Sequence, residues 1–214
     1  MKLFMFPFAP NAAKVRLYLA EKKEAGCDVV GATGLEEVVV NLLEGEQKGA
    51  DYRAVNPFGV VPALQLEDGA VIHESLAIID YFEELYPEAS MWGSDPISRA
   101  QARQIERIAD LGVLIGAARE IHNTNSPLGL PANPPVAAHY HERWLKAVEF
   151  LENQMADGRP FLAGESVTVG DCTLQAILQF ARLRDLAVLG DAPRLTEWND
   201  RFRNRPAAQA TILA

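Results

Sequence analysis

The sequence predicts an α/β domain followed by an all-helical domain. Strand-like and helix-like patterns alternate up to about residue 87, whereas only helical periods follow. The charge changes at the same place, because residues 1–90 contain 7 basic and 15 acidic side chains while residues 91–214 contain 13 and 14. A length of 214 residues is enough for one large or two small domains.

The chain begins with a strand followed by a helix. Lys2–Phe6 is a short apolar run ended by Pro7, which is typical of a buried strand followed by a loop. A helical period starts at Asn11, a residue type favoured at the N-cap. The apolar positions that share one face of this helix are Ala12, Val15, Tyr18 and Leu19, and the charged positions elsewhere are Lys14, Arg16 and Glu21. The pattern predicts an amphipathic first helix.

Three more strands are predicted before residue 75. Glu24–Gly34 is interpreted as a loop, and the β-branched stretch Val38–Leu43 as the second strand. Ala63–Leu66 and Ala70–His73 are two apolar runs around Asp68-Gly69. Because Asp-Gly favours a two-residue hairpin turn, these runs are predicted to form an antiparallel hairpin.

The order of these elements defines the fold of the first domain. Ser75–Tyr86 has a helical period and is stopped by Pro87, so a helix follows the hairpin. The order β-α-β and then β-β-α combines a right-handed parallel unit with an antiparallel edge, as in a thioredoxin-like domain. We therefore expect a thioredoxin-like domain at 1–87, a linker at 88–95 and an all-helical bundle at 96–214.

The predicted helical domain rests on four apolar stripes with helical spacing. They are Ile105, Ile108, Leu111 and Ile115; Trp144, Val148, Leu151 and Met155; Leu174, Ile177, Leu178 and Ala181; and Leu195, Trp198 and Phe202. The proline-rich stretch Asn123–Pro135 separates the first stripe from the second.

Composition excludes several functional classes. A net charge of −9 argues against a nucleic-acid binder, which needs a basic surface. The two cysteines, Cys27 and Cys172, cannot form a disulfide framework, and no Cys/His cluster has zinc spacing. No apolar stretch approaches the length of a membrane span, and the N-terminus lacks the features of a signal peptide. We expect a soluble, cytoplasmic protein without a metal.

The stretch Asn56–Leu64 contains a proline directly before a predicted strand. Proline cannot donate to a central ladder, so Pro62 is expected at a strand start or a bulge. A cis Val61–Pro62 bond would present the Val61 backbone to an extended, peptide-like ligand by strand addition. A trans proline that only ends a loop is the alternative.

Glu74 and Ser75 lie where the predicted hairpin ends and the next helix begins. The first amides of a helix have no intrahelical acceptor and favour an anion. Ser75 and these amides could hold a carboxylate, and Glu74 could hold an ammonium group. A ligand with both groups is an α-amino acid moiety. Alternatively, Ser75 is an ordinary N-cap and Glu74 a surface carboxylate.

The remaining polar motifs are interpreted as structural. Thr168–Asp171 has the form of a capping box before a buried helix. The histidines have no triad or metal companions in the sequence, and we expect them to be polar or partly buried structural residues; they are His73, His122, His139 and His141.

These motifs in this order resemble the soluble, cytosolic-type bacterial glutathione S-transferase family. The resemblance is carried by NPFGVVPAL, HESLAIIDYFEELYP, GESVTVGDCTL and PFAPNAAKVRLYLAE, and it extends over almost the whole chain. It implies that Val61 and a cis Pro62 hold the cysteinyl backbone of glutathione and that Glu74 and Ser75 hold its γ-glutamyl end. It also implies that Gln47 or Lys48 lies near the glycyl carboxylate.

The chain departs from the family pattern in two places. The loop Glu24–Gly34 looks about ten residues longer than is usual. The family also places a catalytic Tyr, Ser or Cys near the first helix, where this chain has Phe6, Phe8, Ala9, Pro10 and Asn11. By resemblance, Asn11 is the catalytic candidate.

Asn11 suits this role chemically. A free thiol has a pKa of about 8.5, and hydrogen bonds to its thiolate lower that value. The Asn11 side chain and the first amides of its helix could supply them. The alternative is that Asn11 is only an N-cap.

The family's electrophile site lies between the domains, and Phe8, Leu111, Ile115 and Arg119 are the candidates here. Ordinary packing and solvation are the alternative. The expected function is that of a glutathione transferase, with glutathione as co-substrate, a hydrophobic electrophile as second substrate, and a homodimeric assembly. The resemblance leaves open a glutathione-dependent disulfide reductase, lyase or isomerase, and also a noncatalytic glutathione-binding protein.

Overall fold

A four-stranded mixed sheet organises the first part of the molecule. The computed structural model describes residues 1–212. The strands are β1 Lys2–Met5, β2 Glu36–Val39, β3 Ala63–Gln65 and β4 Val71–His73, in the spatial order β2-β1-β3-β4. β1 and β2 are parallel, whereas β1 pairs with β3 and β3 with β4 in antiparallel register.

Four helices accompany this sheet and complete the expected thioredoxin-like order. They are α1 Pro10–Glu24, α2 Val29–Thr33, α3 Ala50–Val55 and α4 Ser75–Leu85, with a short 3₁₀ turn at Glu46–Lys48. The predicted α/β domain is confirmed, and its helices end before a second, helical part.

The predicted second strand, Val38–Leu43, is wrong in its position. β2 begins at Glu36, opposite Lys2, and ends at Val39, opposite Met5. One further bond joins the Val40 N–H to the Met5 carbonyl at 2.8 Å. Pairing stops there because β1 ends at Met5.

The predicted loop Glu24–Gly34 contains the short helix α2. Asp28 caps its N-terminus by accepting a hydrogen bond from the Gly31 N–H at 2.9 Å. Gly34 ends the helix in the left-handed conformation, with φ 60°. The capping signals are present in the sequence, but the helix is too short for an apolar period.

The predicted two-residue hairpin turn is also wrong. The Gly69 N–H donates to the Leu66 carbonyl at 3.1 Å, so the β-turn starts at Leu66, and Gly69 has φ 90°. The loop therefore has three residues, and glycine takes its left-handed position.

The second part of the molecule is helical. Its helices are α5 Pro96–Arg107, α6 Ile115–Thr124, α7 Pro134–Gln154, α8 Val169–Arg182, α9 Pro193–Arg203 and α10 Pro206–Thr211. A π-helical segment, Ile108–Leu114, joins α5 to α6 without a break. Within residues 1–212, no helix combines the length and the apolar content needed to cross a membrane.

The π-helical segment corrects the first predicted stripe. Leu111 is 54% exposed, although Ile105 is buried. A π turn contains more residues than an α turn, so the buried face shifts along the sequence and includes Val113 and Leu114 instead. The other three stripes are buried throughout, as predicted.

Helix α1 is not amphipathic as predicted. Its charged residues Lys14, Glu21 and Lys22 are all buried, because the helix lies between the sheet domain and helices α8 and α10. Each buried charge has an opposite partner: Lys14 Nζ lies 3.3 Å from Glu106 Oε1, Lys22 Nζ 2.8 Å from Glu83 Oε1, and Arg205 Nη2 2.6 Å from Glu21 Oε2. Two of these pairs join α1 to the helical part.

Helix α8 is the centre of the core. Residues 169–181 are all buried, and one hydrophobic cluster includes residues from both parts of the chain. The predicted capping box is present, with Asp171 Oδ2 accepting from the Thr168 N–H at 2.9 Å. Asp171 Oδ1 also accepts from the Leu162 N–H and from Trp198 Nε1, so the same carboxylate anchors two further segments.

Candidate functional site

The sheet register brings the two predicted binding motifs to the same end of the sheet. Ala63 pairs with Phe4 on one side and with His73 on the other. Val61 and Pro62 precede Ala63, while Glu74 and Ser75 follow His73 in the antiparallel direction. Both motifs therefore continue from one end of the sheet, where β1 leads into α1.

Helix α1 begins with unpaired amide groups. Its first residue is Pro10, which has no N–H, and the residue before it, Ala9, provides no side-chain cap. The first intrahelical bond joins the Ala13 N–H to the Ala9 carbonyl at 2.9 Å. The N–H groups of Asn11 and Ala12 have no hydrogen-bond acceptor within residues 1–212. Asn11 is thus the second helical residue, and the predicted N-cap role is wrong.

A hydrogen bond joins the starts of α1 and α4. Ser75 Oγ donates to Asn11 Oδ1 at 3.2 Å, and Ser75 is only 5% exposed. Because Ser75 occupies the oxygen of the Asn11 amide, the Nδ2 group points away from Ser75. Nδ2 has no acceptor in the part of the chain that the structure describes, so it remains a free donor beside the free α1 amides.

Helix α4 begins with a strained residue. Glu74 is exposed and has φ 70°, a left-handed conformation that costs a non-glycine residue about 1–3 kcal/mol. The first intrahelical bond runs from the Ile78 N–H to the Glu74 carbonyl, which leaves the preceding amides at the helix start free. Ser75 is the first helical residue and does not act as an N-cap. Strain of this kind is typical of ligand-binding positions.

The Val61–Pro62 peptide bond is cis. The preceding loop is fixed through the Val60 carbonyl, which accepts from Tyr52 Oη at 2.6 Å and from Asn56 Nδ2 at 2.7 Å. The Val61 N–H and carbonyl have no hydrogen-bond partner among residues 1–212. A backbone donor and acceptor are therefore available at the same end of the sheet as Ser75.

Gln47 and Lys48 differ in their availability. Gln47 is 7% exposed, and its Nε2 donates to the Leu42 carbonyl at 3.4 Å. Its Oε1 is buried and has no partner in the described part of the chain. Lys48 is exposed at the end of the 3₁₀ turn, so its ammonium group is the freer of the two for a carboxylate.

A cavity of about 270 Å³ opens between the two parts of the chain, directly beside the start of α1. One wall comes from the sheet domain and is entirely apolar: Phe6, Phe8, Ala9, Pro10, Leu42 and Leu43. The other wall comes from the helical part: His122, Pro127, Leu128, Phe180, Leu183 and Arg184. Such a cavity suits a mostly hydrophobic ligand.

Of the four residues predicted for the electrophile site, Phe8 lies on this lining. The remaining three, Leu111, Ile115 and Arg119, lie outside it, with Leu111 and Arg119 exposed. The wall is formed instead by the end of α6, the irregular Pro127–Leu128 segment and the end of α8. An irregular segment has no period, so the sequence carries no signal for it.

His122 and Arg184 are the polar residues of the lining, and the sequence pattern indicates a role at this site for neither. His122 Nδ1 lies 2.9 Å from Ser126 Oγ. Burial lowers the pKa of His122, and the charges of Arg119 and Arg184 lower it further. The neutral form of His122 is therefore favoured at neutral pH.

Comparison with known proteins agrees with this fold. Residues 3–90 match the family model described as glutathione S-transferase, N-terminal domain, and residues 127–206 match the corresponding C-terminal domain. The chain belongs to the glutathione S-transferase family.

Individual relatives align with most of the chain. Glutathione S-transferase 2 of Saccharomyces cerevisiae is 28% identical over 220 residues, which cover 99% of this chain and 89% of the relative. A probable maleylacetoacetate isomerase of Caenorhabditis elegans is 30% identical over 179 residues, covering 80% and 78%. The crystal structure of Gtt2 from Saccharomyces cerevisiae superposes with a TM-score of 0.87 at 28% identity, covering 99% of this chain and all of that one.

Proposed function

We propose that this chain is a glutathione transferase that activates the thiol of bound glutathione for attack on a hydrophobic electrophile. The observation that carries the proposal is the group of free donors at the start of α1. The Asn11 Nδ2 group and the Asn11 and Ala12 amides stand between an anion-binding helix start and an apolar cavity.

Glutathione binds along the end of the sheet. The Val61 N–H and carbonyl pair with its cysteinyl backbone, as in strand addition. Ser75 and the free α4 amides hold the γ-glutamyl carboxylate, while Glu74 holds the ammonium group. Lys48, with Gln47 beside it, attracts the glycyl carboxylate. This arrangement directs the cysteinyl sulfur toward the start of α1.

Asn11 and its neighbouring amides stabilise the thiolate. For each unit by which these donors lower the pKa of the thiol, they bind the thiolate more favourably than the thiol by about 1.4 kcal/mol. With 1-chloro-2,4-dinitrobenzene as electrophile, the sulfur lone pair forms a bond to the ring carbon. Chloride then leaves with the electrons of the C–Cl bond, and the thiol proton passes to solvent. The second substrate enters from the apolar cavity.

An isomerase is the second candidate, because one relative is described as a probable maleylacetoacetate isomerase. The same thiolate would add to a carbon–carbon double bond and leave again after rotation, so glutathione would be regenerated. The glutathione site is also compatible with a disulfide reductase, a lyase or a noncatalytic glutathione-binding protein.

Product analysis separates these functions. Chlorodinitrobenzene, a cis-enedione and a disulfide are each incubated with glutathione and the protein. We expect a thioether conjugate from the first. Isomerisation without consumption of glutathione would favour the isomerase, and oxidised glutathione would favour the reductase. Glutathione binding without any product would favour a binding protein.

The domain boundaries, location and assembly belong to the same proposal. Residues 1–87 form the glutathione domain, 88–95 the linker and 96–214 the helical domain. The protein acts in the cytoplasm as a homodimer. Phe58 and Val60, which are 71% and 51% exposed in the loop before β3, provide an apolar surface for the partner.

A further inference from the structure

Arg184 places a positive charge on the wall of the apolar cavity. Its guanidinium group is oriented by Asn125, whose carbonyl accepts from Nε at 3.1 Å and from Nη2 at 2.8 Å. Nη2 also donates to Asn125 Oδ1. All of these acceptors are neutral, and Nη1 has no partner among residues 1–212. The side chain is thus held in place while its charge is left uncompensated.

The surroundings of Arg184 contain no opposite charge. None of the residues lining the cavity is acidic, and no carboxylate among residues 1–212 lies within ion-pair distance of Arg184.

We propose that the second substrate of this enzyme is a hydrophobic electrophile that carries a carboxylate, and that Arg184 binds that carboxylate through its free Nη1. This inference rests on the proposed transferase function and names the chemical class of its second substrate. The apolar walls of the cavity bind the hydrocarbon part of the substrate. The charge of Arg184 favours hydrophobic molecules that carry a carboxylate over those that do not.

Two features of guanidinium chemistry favour a carboxylate. Arginine is charged at every physiological pH and binds carboxylates through parallel N–H donors. Its attraction is also strengthened where the surrounding side chains are apolar, because the local dielectric constant is lower than in water. A cation held by neutral acceptors at an apolar wall therefore provides selectivity for an anionic substituent.

The test compares two electrophiles that differ only in charge. One is an aryl vinyl ketone with an oxyacetate substituent, and the other is its primary amide. The OCH₂ group insulates the reacting centre, so both add glutathione with similar intrinsic rates. The sulfur bonds to the terminal vinyl carbon, the double-bond electrons move to the carbonyl oxygen, and the α-carbon then takes a proton from water.

The wild type is compared with Arg184→Gln, Arg184→Lys and the control Arg203→Gln. Arg203 is an exposed residue of α9 outside the cavity lining, and its substitution changes the net charge by the same amount. We expect Arg184→Gln to lower kcat/KM for the carboxylate at least about tenfold, as loss of a hydrogen bond to a charged group requires, with little change for the amide. Arg184→Lys should retain part of the preference, and Arg203→Gln all of it.

Two results would overturn the inference. Equal losses for carboxylate and amide would mean that Arg184 only fastens the end of α8 to Asn125. A rise in the KM for glutathione with an unchanged KM for the carboxylate electrophile would mean that Arg184 binds the glycyl end of glutathione instead.

A binding measurement separates this inference from the proposed function. The saturated ethyl ketones, which cannot react, are titrated calorimetrically into the glutathione-bound wild type and Arg184→Gln. Tighter binding of the carboxylate by the wild type alone, without turnover of the vinyl ketones, would support the anion site while contradicting the transferase. Turnover of both vinyl ketones without a carboxylate preference would support the transferase and contradict the anion site.

Discussion

The Ser75 hydroxyl donates to the Asn11 carboxamide oxygen at 3.2 Å, across 64 residues of sequence. This bond joins the start of α1 to the start of α4, and both helix starts have free backbone amides. It also orients the Asn11 amide, because the oxygen is bound and the NH₂ group is left free. In the proposed glutathione complex, this one side-chain contact couples binding of the γ-glutamyl end to activation of the thiol.

The first prediction concerns Asn11→Ala. The variant loses a donor to the thiolate, so the pKa of the bound glutathione thiol should rise by about one unit, or about 1.4 kcal/mol. A higher thiol pKa means less thiolate near neutral pH. The rate should thus fall about tenfold near pH 7 and recover in alkaline solution, as measured by the pH profile of kcat/KM and by thiolate absorbance.

Asn133→Ala is the matched control for this prediction. Asn133 caps α7, where its Oδ1 accepts from the Val136 N–H, and it lies outside the cavity lining. Its loss should cost about 1 kcal/mol of stability without moving the pH profile. An unchanged profile in Asn11→Ala would show that the backbone amides alone activate the thiol.

The second prediction concerns Glu74→Gln. If Glu74 holds the ammonium group of glutathione, the variant should bind glutathione about tenfold more weakly, as loss of a charged partner requires. Deaminated glutathione lacks that ammonium group, so its affinity should be the same for wild type and variant. Calorimetric titration of both ligands checks this. Equal weakening for both would point to a disturbed α4 start rather than to a lost ion pair.

Much of the fold is predictable because its signals are local. Pro7 and Pro87 mark the ends of elements, Asp68-Gly69 marks the hairpin, and Thr168–Asp171 marks the start of a buried helix. Turn residues and caps act within a few positions of the chain, so one sequence is enough to locate them. The predicted boundaries are less accurate, as β2 shows, because a strand ends where its neighbour ends.

The features that the sequence does not predict depend on distant residues. The helical period puts Lys14 on a polar side of α1, but its partner Glu106 is 92 residues away in sequence. The same kind of period puts Leu111 in a buried stripe, but the π-helical segment shifts the phase of the helix. His122 and Arg184 come to one cavity wall only through tertiary packing. No local pattern reports such contacts.

The third prediction concerns assembly. Phe58 is 71% exposed, although its N–H is tied to Asn56 Oδ1 at 3.1 Å and the loop is held in place. If this surface forms the dimer interface, analytical sedimentation should show a dimer for the wild type and a monomer for Phe58→Ser. Ile97→Ser is the control, since Ile97 is also 71% exposed but lies at the start of α5. Dissociation by Ile97→Ser alone would place the interface on α5 instead.

The last prediction concerns the buried ion pair between α1 and α5. Lys14 Nζ lies 3.3 Å from Glu106 Oε1 and 3.6 Å from Asp110 Oδ1, and the Lys14 side chain is fully buried. Lys14→Met would leave two carboxylates without this cation, so we expect a loss of about 3–5 kcal/mol in the free energy of unfolding. Lys23→Met is the control, because Lys23 is 62% exposed and pairs with Asp28 at the surface. It should cost at most about 1 kcal/mol.

The pH dependence of Lys14→Met tests the cause of this loss. Burial already raises the pKa of Glu106, and the charge of Lys14 counteracts that rise. Without Lys14 the pKa of Glu106 should rise further, so the folded state should bind a proton more tightly than the unfolded state. The stabilisation from that proton is present at low pH and is lost as the pH rises through the folded-state pKa. Denaturant unfolding at several pH values should therefore show Lys14→Met recovering stability, relative to the wild type, on acidification toward pH 5. A loss that stays constant with pH would mean that Lys14 contributes through packing of its aliphatic chain rather than through its charge.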